Sequence, residues 1–144
     1  MTTDVTYSIA VKAVCSDEEE SDWSQTYSFT PTCPMPSINQ GNIETTAVTA
    51  YIPWSVEGYA ESFSLAYGLA NDFNLDDENT YTLVENITNA YYELSNLAAG
   101  TEYKCAVKAL CDGNTEGNWS NVATFTPSCP APYLNHLLQF FVYA

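Results

Sequence analysis

The sequence predicts an all-β protein: a seven-stranded, two-sheet sandwich together with part of a second module. Three observations predict it. The stretch from Tyr7 to Pro36 recurs from Tyr103 to Pro132 at a constant offset of 96 residues, without a gap. Half of the aligned positions are identical, among them Ala10-Val11-Lys12-Ala13 against Ala106-Val107-Lys108-Ala109, Trp23-Ser24 against Trp119-Ser120, and Phe29-Thr30-Pro31 against Phe125-Thr126-Pro127. A period of 96 residues is too long for a helical solenoid unit and suits one small β domain. Eleven Tyr, six Phe and three Trp favour pleated surfaces. Apolar residues also alternate with a period of two in short runs, and none keeps a period of 3.6.

Taken in order, residues 1–14 read as a strand with Val5, Tyr7, Ile9, Val11 and Ala13 on one face. Asp17 to Asp22 is an acidic turn, and Trp23 to Thr30 a second strand, so the first thirty residues form a hairpin. Thr32-Cys33-Pro34-Met35-Pro36 is a stiff junction, echoed by Ser128-Cys129-Pro130-Ala131-Pro132. Between the junctions, Val48, Ala50, Ile52 and Trp54 alternate as one strand, with Pro53 marking an irregular end, and Phe63, Leu65 and Tyr67 as the next. Asn71 to Asn79 is an acidic loop. Tyr81 to Val84 and Ala90 to Leu94 are short strands, and Leu97 to Thr101 is a turn. Tyr103, Cys105, Val107 and Ala109 continue the alternation, and Val122 to Thr126 closes the module. The expected organisation is a terminal hairpin over residues 1–33, a complete module over 34–129, and the start of a following module or a divergent tail over 130–144.

Eighteen acidic residues face three basic ones, a formal charge of −15. Such a surface keeps a protein soluble and disfavours nucleic acid, whose phosphates need clustered Lys and Arg. Met1-Thr2-Thr3-Asp4 begins neither basic nor apolar, so no signal peptide is expected in these residues. The most apolar stretch, Leu137 to Ala144, is too short to cross a membrane.

With these elements placed, the residues resemble a fibronectin type III domain, an immunoglobulin-like sandwich. The resemblance rests on Trp54 closing the second strand, Phe63 opening the third, and Leu97 followed by Gly100-Thr101-Glu102-Tyr103 before an alternating run to Ala109. It implies that Trp54, Phe63, Leu97 and Tyr103 are structural core residues, with Leu97 and Tyr103 anchoring the turn between strands E and F and the Tyr hydroxyl bonding back to backbone. It covers residues 34–129 in full and residues 1–33 as the last two strands, F and G, of a preceding copy. The added cysteines and the Trp-Ser pairs are similar to modules in secreted or surface proteins of Bacteroides-type bacteria.

Five cysteines fit an oxidising compartment. Cys15, Cys33, Cys111 and Cys129 recur with the repeat, whereas Cys105 is expected to be a buried free thiol acting as a small hydrophobe. Two pairings compete. One joins sequence neighbours, Cys15 to Cys33 and Cys111 to Cys129. In the resembled fold, however, Cys111 ends strand F at the pole where the module begins, while Cys129 follows strand G at the other, about 25 Å away. Bridged Cα atoms lie within about 7 Å. The resemblance therefore favours Cys33–Cys111, leaving Cys15 and Cys129 unpaired. The spacings do not suit zinc.

Candidate sites are sparse. His136 is the one histidine, and it lies in a tail (His136 to Ala144) unrelated to the matching Gln40 to Ala47, so no Ser/His/Asp or Cys/His arrangement is suggested. Paired carboxylates in a small sandwich with short loops lack a cleft that would tune them, and no enzymatic activity or cofactor is expected. Asp72, Asn74, Asp76 and Glu78 alternate oxygen-bearing side chains as a weak calcium candidate, but Leu83 stands where a bidentate Glu would close the loop. A solvated acidic loop is the simpler reading, and no metal is expected. Trp23 and Trp119 are candidate stacking platforms for a sugar, or repeated packing residues. Asn86-Ile87-Thr88 and Asn118-Trp119-Ser120 match the N-glycosylation pattern, a frequent chance match.

The expected function is a non-catalytic extracellular module, a spacer or an adhesion and protein-interaction domain, flanked by neighbouring modules of its parent chain. A carbohydrate-binding module is one alternative. A self-assembling subunit is another: Tyr7, Ile9, Val11 and Phe29 give the hairpin of residues 1–33 an apolar face that should pack on the complete module or on another chain, by strand exchange for instance.

Overall fold

The computed structural model describes residues 2–17, 19–112 and 115–129. The expected tail over 130–144, with His136, lies outside them. Alternation of apolar and polar side chains builds twelve strand segments in chain order: β1 (Tyr7–Ile9), β2 (Val14–Ser16), β3 (Glu19–Glu20), β4 (Tyr27–Phe29), β5 (Glu44–Thr45), β6 (Ala50–Pro53), β7 (Ser62–Leu69), β8 (Thr82–Ile87), β9 (Tyr91–Leu94), β10 (Tyr103–Cys111), β11 (Thr115–Glu116) and β12 (Ala123–Phe125). Single-turn 3-10 helices at Gln40–Asn42 and Glu78–Thr80 interrupt the loops.

Segments β5 to β12 form two antiparallel sheets. One runs β5-β6-β9. In the other, β8, β7 and β10 are neighbours, and both β11 and β12 pair with the far edge of β10. The module thus has eight segments for seven strand positions, because the last strand breaks between Glu116 and Ala123. The spine is the β7–β10 pairing, which runs from Tyr103 opposite Leu69 to Leu110 opposite Ser62. Alternate residues of the two sheets turn inward. Ala50, Ile52, Leu65, Cys105, Val107, Ala109 and Ala123 are inaccessible to solvent, and Trp54, Phe63, Ile87, Leu94, Leu97 and Phe125 close the same cluster. Removing this apolar surface from water is the main drive for the two sheets to stack.

The expected structural residues sit in this frame. Trp54 meets Phe63 edge-to-face at 5.4 Å between ring centroids. Leu97 is buried at the β9–β10 turn, where Gly100 takes a φ of +74° that a side chain would resist. Tyr103 is half-buried against Phe125, and its hydroxyl accepts a hydrogen bond from the Ala98 amide at 3.1 Å. Cys33 and Cys111 form a disulfide with Cα atoms 5.8 Å apart, so the pairing of sequence neighbours does not occur.

Several elements depart from expectation. Val48 does not join its strand: it is exposed in the turn before β6, where its carbonyl accepts from the Leu97 amide. β8 reaches Ile87 rather than ending at Val84, because a bulge with Asn86 at φ +59° resets its register on β7. The first strand is not continuous over residues 1–14. It breaks between Ile9 and Val14, and the second shortens to β4. Here Ser24 and Ser21 hydroxyls accept from the Val11 and Ala13 amides, so side chains stand in for ladder bonds. The equivalent Ser120 hydroxyl takes the Val107 amide without breaking β10, since β10 is also held along its other edge by β7. Of the hairpin's expected apolar face, Ile9 and Val11 are exposed, whereas Tyr7 and Phe29 are half-buried and stack on each other.

The Cys33–Cys111 bridge closes a loop of 78 residues. Replacing both cysteines by Ala is expected to cost about 4 kcal/mol, mainly by freeing the unfolded chain. Urea denaturation would show this as a lower midpoint with the core otherwise intact.

Candidate functional site

The repeat carries one local structure twice. In the hairpin, Lys12 pairs with Glu20 and its ammonium lies 5.3 Å from the centroid of Trp23. In the module, Lys108 pairs with Glu116 and lies 4.9 Å from the centroid of Trp119. Each Lys is thus fixed between a carboxylate and the negative face of an indole. Trp119 is held further by the edge of Tyr81, 6.3 Å between centroids, whereas Trp23 is 64% exposed. A lysine thus lies over one face of each indole.

The acidic loop is held by its own hydrogen bonds. Asn74 Oδ1 accepts from the Asp76 amide, and the Thr80 hydroxyl donates to the Asn74 and Asp77 carbonyls. Asp77, which sequence reasoning passed over, caps the following turn. Its carboxylate accepts from the side chain and backbone amide of Asn79, and these bonds hold its pKa below the ordinary value. Among the described residues, no group of three or more His, Cys, Asp or Glu could hold a metal ion.

The remaining thiols differ in environment. Cys15 and Cys129 are exposed, and Cys105 is buried in the core. The glycosylation patterns differ too. Asn86 and Thr88 are exposed, whereas Ser120 is buried and its hydroxyl is engaged with Val107 and Asn121.

Two clefts lie outside the expected residues. One, of about 610 Å³, lies where the hairpin meets the module, lined by Phe29, Pro31, Tyr59 and Asp112 among others. Asp112 there accepts from the Thr3 amide at 2.7 Å. The other, of about 470 Å³, runs between β8 and β9 beside Tyr91, which pairs with Tyr51 at 5.3 Å. The signal for the first was Asp112 next to a bridged cysteine. For the second it was Tyr51 alternating with buried Ala50 and Ile52, which turns it outward. No described helix is long and apolar enough to cross a membrane.

A three-stranded sheet packed on a sheet centred on β7 and β10, with the tyrosine bond at the β9–β10 turn, defines the fibronectin type III fold. Solved structures agree. The chain is similar to the chicken CNTN1 FN1–FN3 domains (18% identity, TM-score 0.53), over 89% of this chain and 43% of that one. It is also similar to FN3tt (19%, TM-score 0.51), over 68% and 98% of the two chains. An FN3 domain of human collagen XX gives 19% identity and a TM-score of 0.51, over 66% and 92%. At these identities the likeness is one of fold. No protein-family model matches the sequence, and no curated protein matches it significantly.

Burial pushes the Cys105 thiol up to about 12 from an ordinary 9.0. The folded state therefore holds this proton more tightly than the unfolded chain does. Its contribution to stability is complete below pH of about 9 and is lost as pH rises towards 12. In folded protein at pH 8, a thiol reagent is expected to label Cys15 and Cys129 and spare Cys105. Trp119→Ala, which removes the seat of Lys108 and the contact with Tyr81, should cost about 1–2 kcal/mol in thermal or urea unfolding.

Proposed function

We propose that the chain is a non-catalytic extracellular module of a multi-domain surface or secreted protein, of the cysteine-bearing kind its sequence resembles in Bacteroides-type bacteria. It works as a spacer or protein-interaction domain. Residues 1–33 are read as the F–G hairpin of one such module and 34–129 as the complete next one. The observation that carries the reading is the way the entry segment is fastened. Cys33 is bonded to the end of β10, Ser37 bridges to Ser55, and Asn121 accepts from the Ile38 amide and donates to its carbonyl. The entry is therefore fastened to the end of β10, to Ser55 just after β6 and to the segment before β12, as a joint that transmits force requires. A disulfide is also what an oxidising compartment permits.

Force entering at Cys33 crosses the bridge to Cys111 and bypasses the 78-residue separation between them. Only the stretch from 111 to 129 then extends, 129 − 111 = 18 residues or about 60 Å; after reduction 129 − 33 = 96 residues are free, about 330 Å. Single-molecule pulling with and without reductant measures both lengths. Release of the long extension before reduction would sink the reading.

A further inference from the structure

The cleft between β8 and β9 has walls whose polar and aromatic groups the module itself leaves unused. Alternation turns Ile52, Tyr92 and Leu94 towards the core and leaves Tyr51, Tyr91 and Glu93 on the outer face. There Tyr51 stands opposite Glu93 on one side and Glu44 on the other. The rings of Tyr51 and Tyr91 lie 5.3 Å apart, and the residues are 36% and 45% exposed. Glu85 joins Glu93 in lining the cleft. Among the described residues the ion pairs engage Glu20 and Glu116, so Glu44, Glu85 and Glu93 have no basic partner.

The wall that β9 supplies is also a strand edge. Among the described residues β9 pairs with β6 alone, and β8 with β7 alone. The Trp54 amide donates to the Ala90 carbonyl at 3.0 Å, and Pro53, which has no amide hydrogen, stands opposite Tyr91. Bonded and non-bonded residues alternate along an antiparallel pair. The backbone groups of Tyr91 and Glu93 therefore face away from β6. A bulge with Asn86 at φ +59° spoils the edge of β8 for pairing. The register of β9 on β6 runs unbroken, so its edge stays straight.

We propose that this cleft is a docking surface for an extended, cationic segment of a protein partner, added as a strand along β9, in which two basic side chains flank an apolar one. The inference deepens the protein-interaction reading above and rests on it. An added strand takes the amide and carbonyl groups of Tyr91 and Glu93 into a ladder. Its side chains alternate as those of β9 do. A Lys or Arg opposite Glu93 meets a carboxylate across the strands. A second one, two residues away, lies over Tyr91, whose ring face attracts a cation. The residue between them turns the other way, towards half-buried Val84 and Tyr92, where an apolar side chain fits. Charge selects the occupant. A second copy would bring the same carboxylates and its own net charge of −15 to the edge, and like charges placed opposite each other destabilise a strand pair. The same charge turns away nucleic acid and anionic lipid. A cationic strand is the one the edge accepts.

The test titrates the whole isotope-labelled chain with a capped peptide, Thr-Arg-Val-Arg-Thr, in low salt. Saturable shifts are expected at Tyr91 and Glu93, with slowed exchange of their amides. Replacing both arginines by citrulline, a neutral isostere, should weaken binding about tenfold or more. Glu93→Gln and Tyr91→Ala should each weaken it about threefold to fivefold. The urea midpoint of Glu93→Gln should match that of the native chain, which separates lost affinity from lost fold. Methylating an Arg amide, which faces β9, should abolish binding, whereas methylating the Val amide, which faces away, should be tolerated. Equal binding of the arginine and citrulline peptides would overturn the charge requirement. Affinity indifferent to both substitutions would overturn the site, and equal effects of the two methyl groups would overturn strand addition. A native chain that elutes as a dimer with the Tyr91 and Glu93 amides protected would assign the edge to a second copy instead. None of these outcomes changes the extension lengths of residues 33–129, so failure here and failure of the modular reading are told apart.

Discussion

Strand β10 has β7 along one edge and β11 with β12 along the other, and the rest of the module depends on that double pairing. Its inward residues Cys105, Val107 and Ala109 are small, which lets the β5-β6-β9 sheet approach and bury Ile52 and Leu94 against them. Its first residue, Tyr103, braces the turn that precedes it, and its last, Cys111, holds the entry segment. Most backbone groups of β10 are satisfied from both sides, so it remains regular for nine residues. The hairpin shows the same sequence pattern without a β7. There the chain breaks into β1 and β2, although half of its residues are unchanged. Sequence identity supplies the local bracing, and the missing neighbour decides whether the strand runs on.

Period-two alternation made β7, β9 and β10 legible, because burial on one face demands that pattern in the sequence itself. The fold also made the bridge legible, since only one arrangement of poles brings Cys33 near Cys111. Contacts between residues distant in sequence were harder to read. Lys108 lies near Trp119 only because β10 and the segment before β12 run side by side. Tyr59 and Asp112 share a cleft with Phe29 for the same reason. The acidic loop admitted two readings, a solvated loop and a weak calcium candidate. Alternating Asp72, Asn74, Asp76 and Glu78 suggested ligands, but Asn74 and the neighbouring Asp77 and Thr80 use their side chains to close the loop. Short polar residues that can bind a cation can equally satisfy backbone, and in the sequence the two uses look alike.

Several side chains that support the hairpin are the same in both copies, and some that face another sheet differ. Tyr7, Ser24, Phe29, Lys12, Glu20 and Trp23 have identical counterparts. Ile9, Tyr27 and Ser21 do not, and their counterparts are buried or closely approached. A tandem protein whose modules were interchangeable would misassemble readily, since one module's hairpin could complete another. Divergence at core-facing positions such as Ile9 and Tyr27 gives each core its own fit.

Lys12 and Lys108 are each held between a glutamate and an indole, which leaves Lys104 as the remaining basic side chain of the three. The other acidic side chains have almost no positive counterpart on the molecule. Beads of this kind strung together would repel one another over the screening distance of about 8 Å at physiological ionic strength. Such a string behaves as a polyelectrolyte, stretched in dilute buffer and relaxing as salt rises, with ionic strength setting its reach.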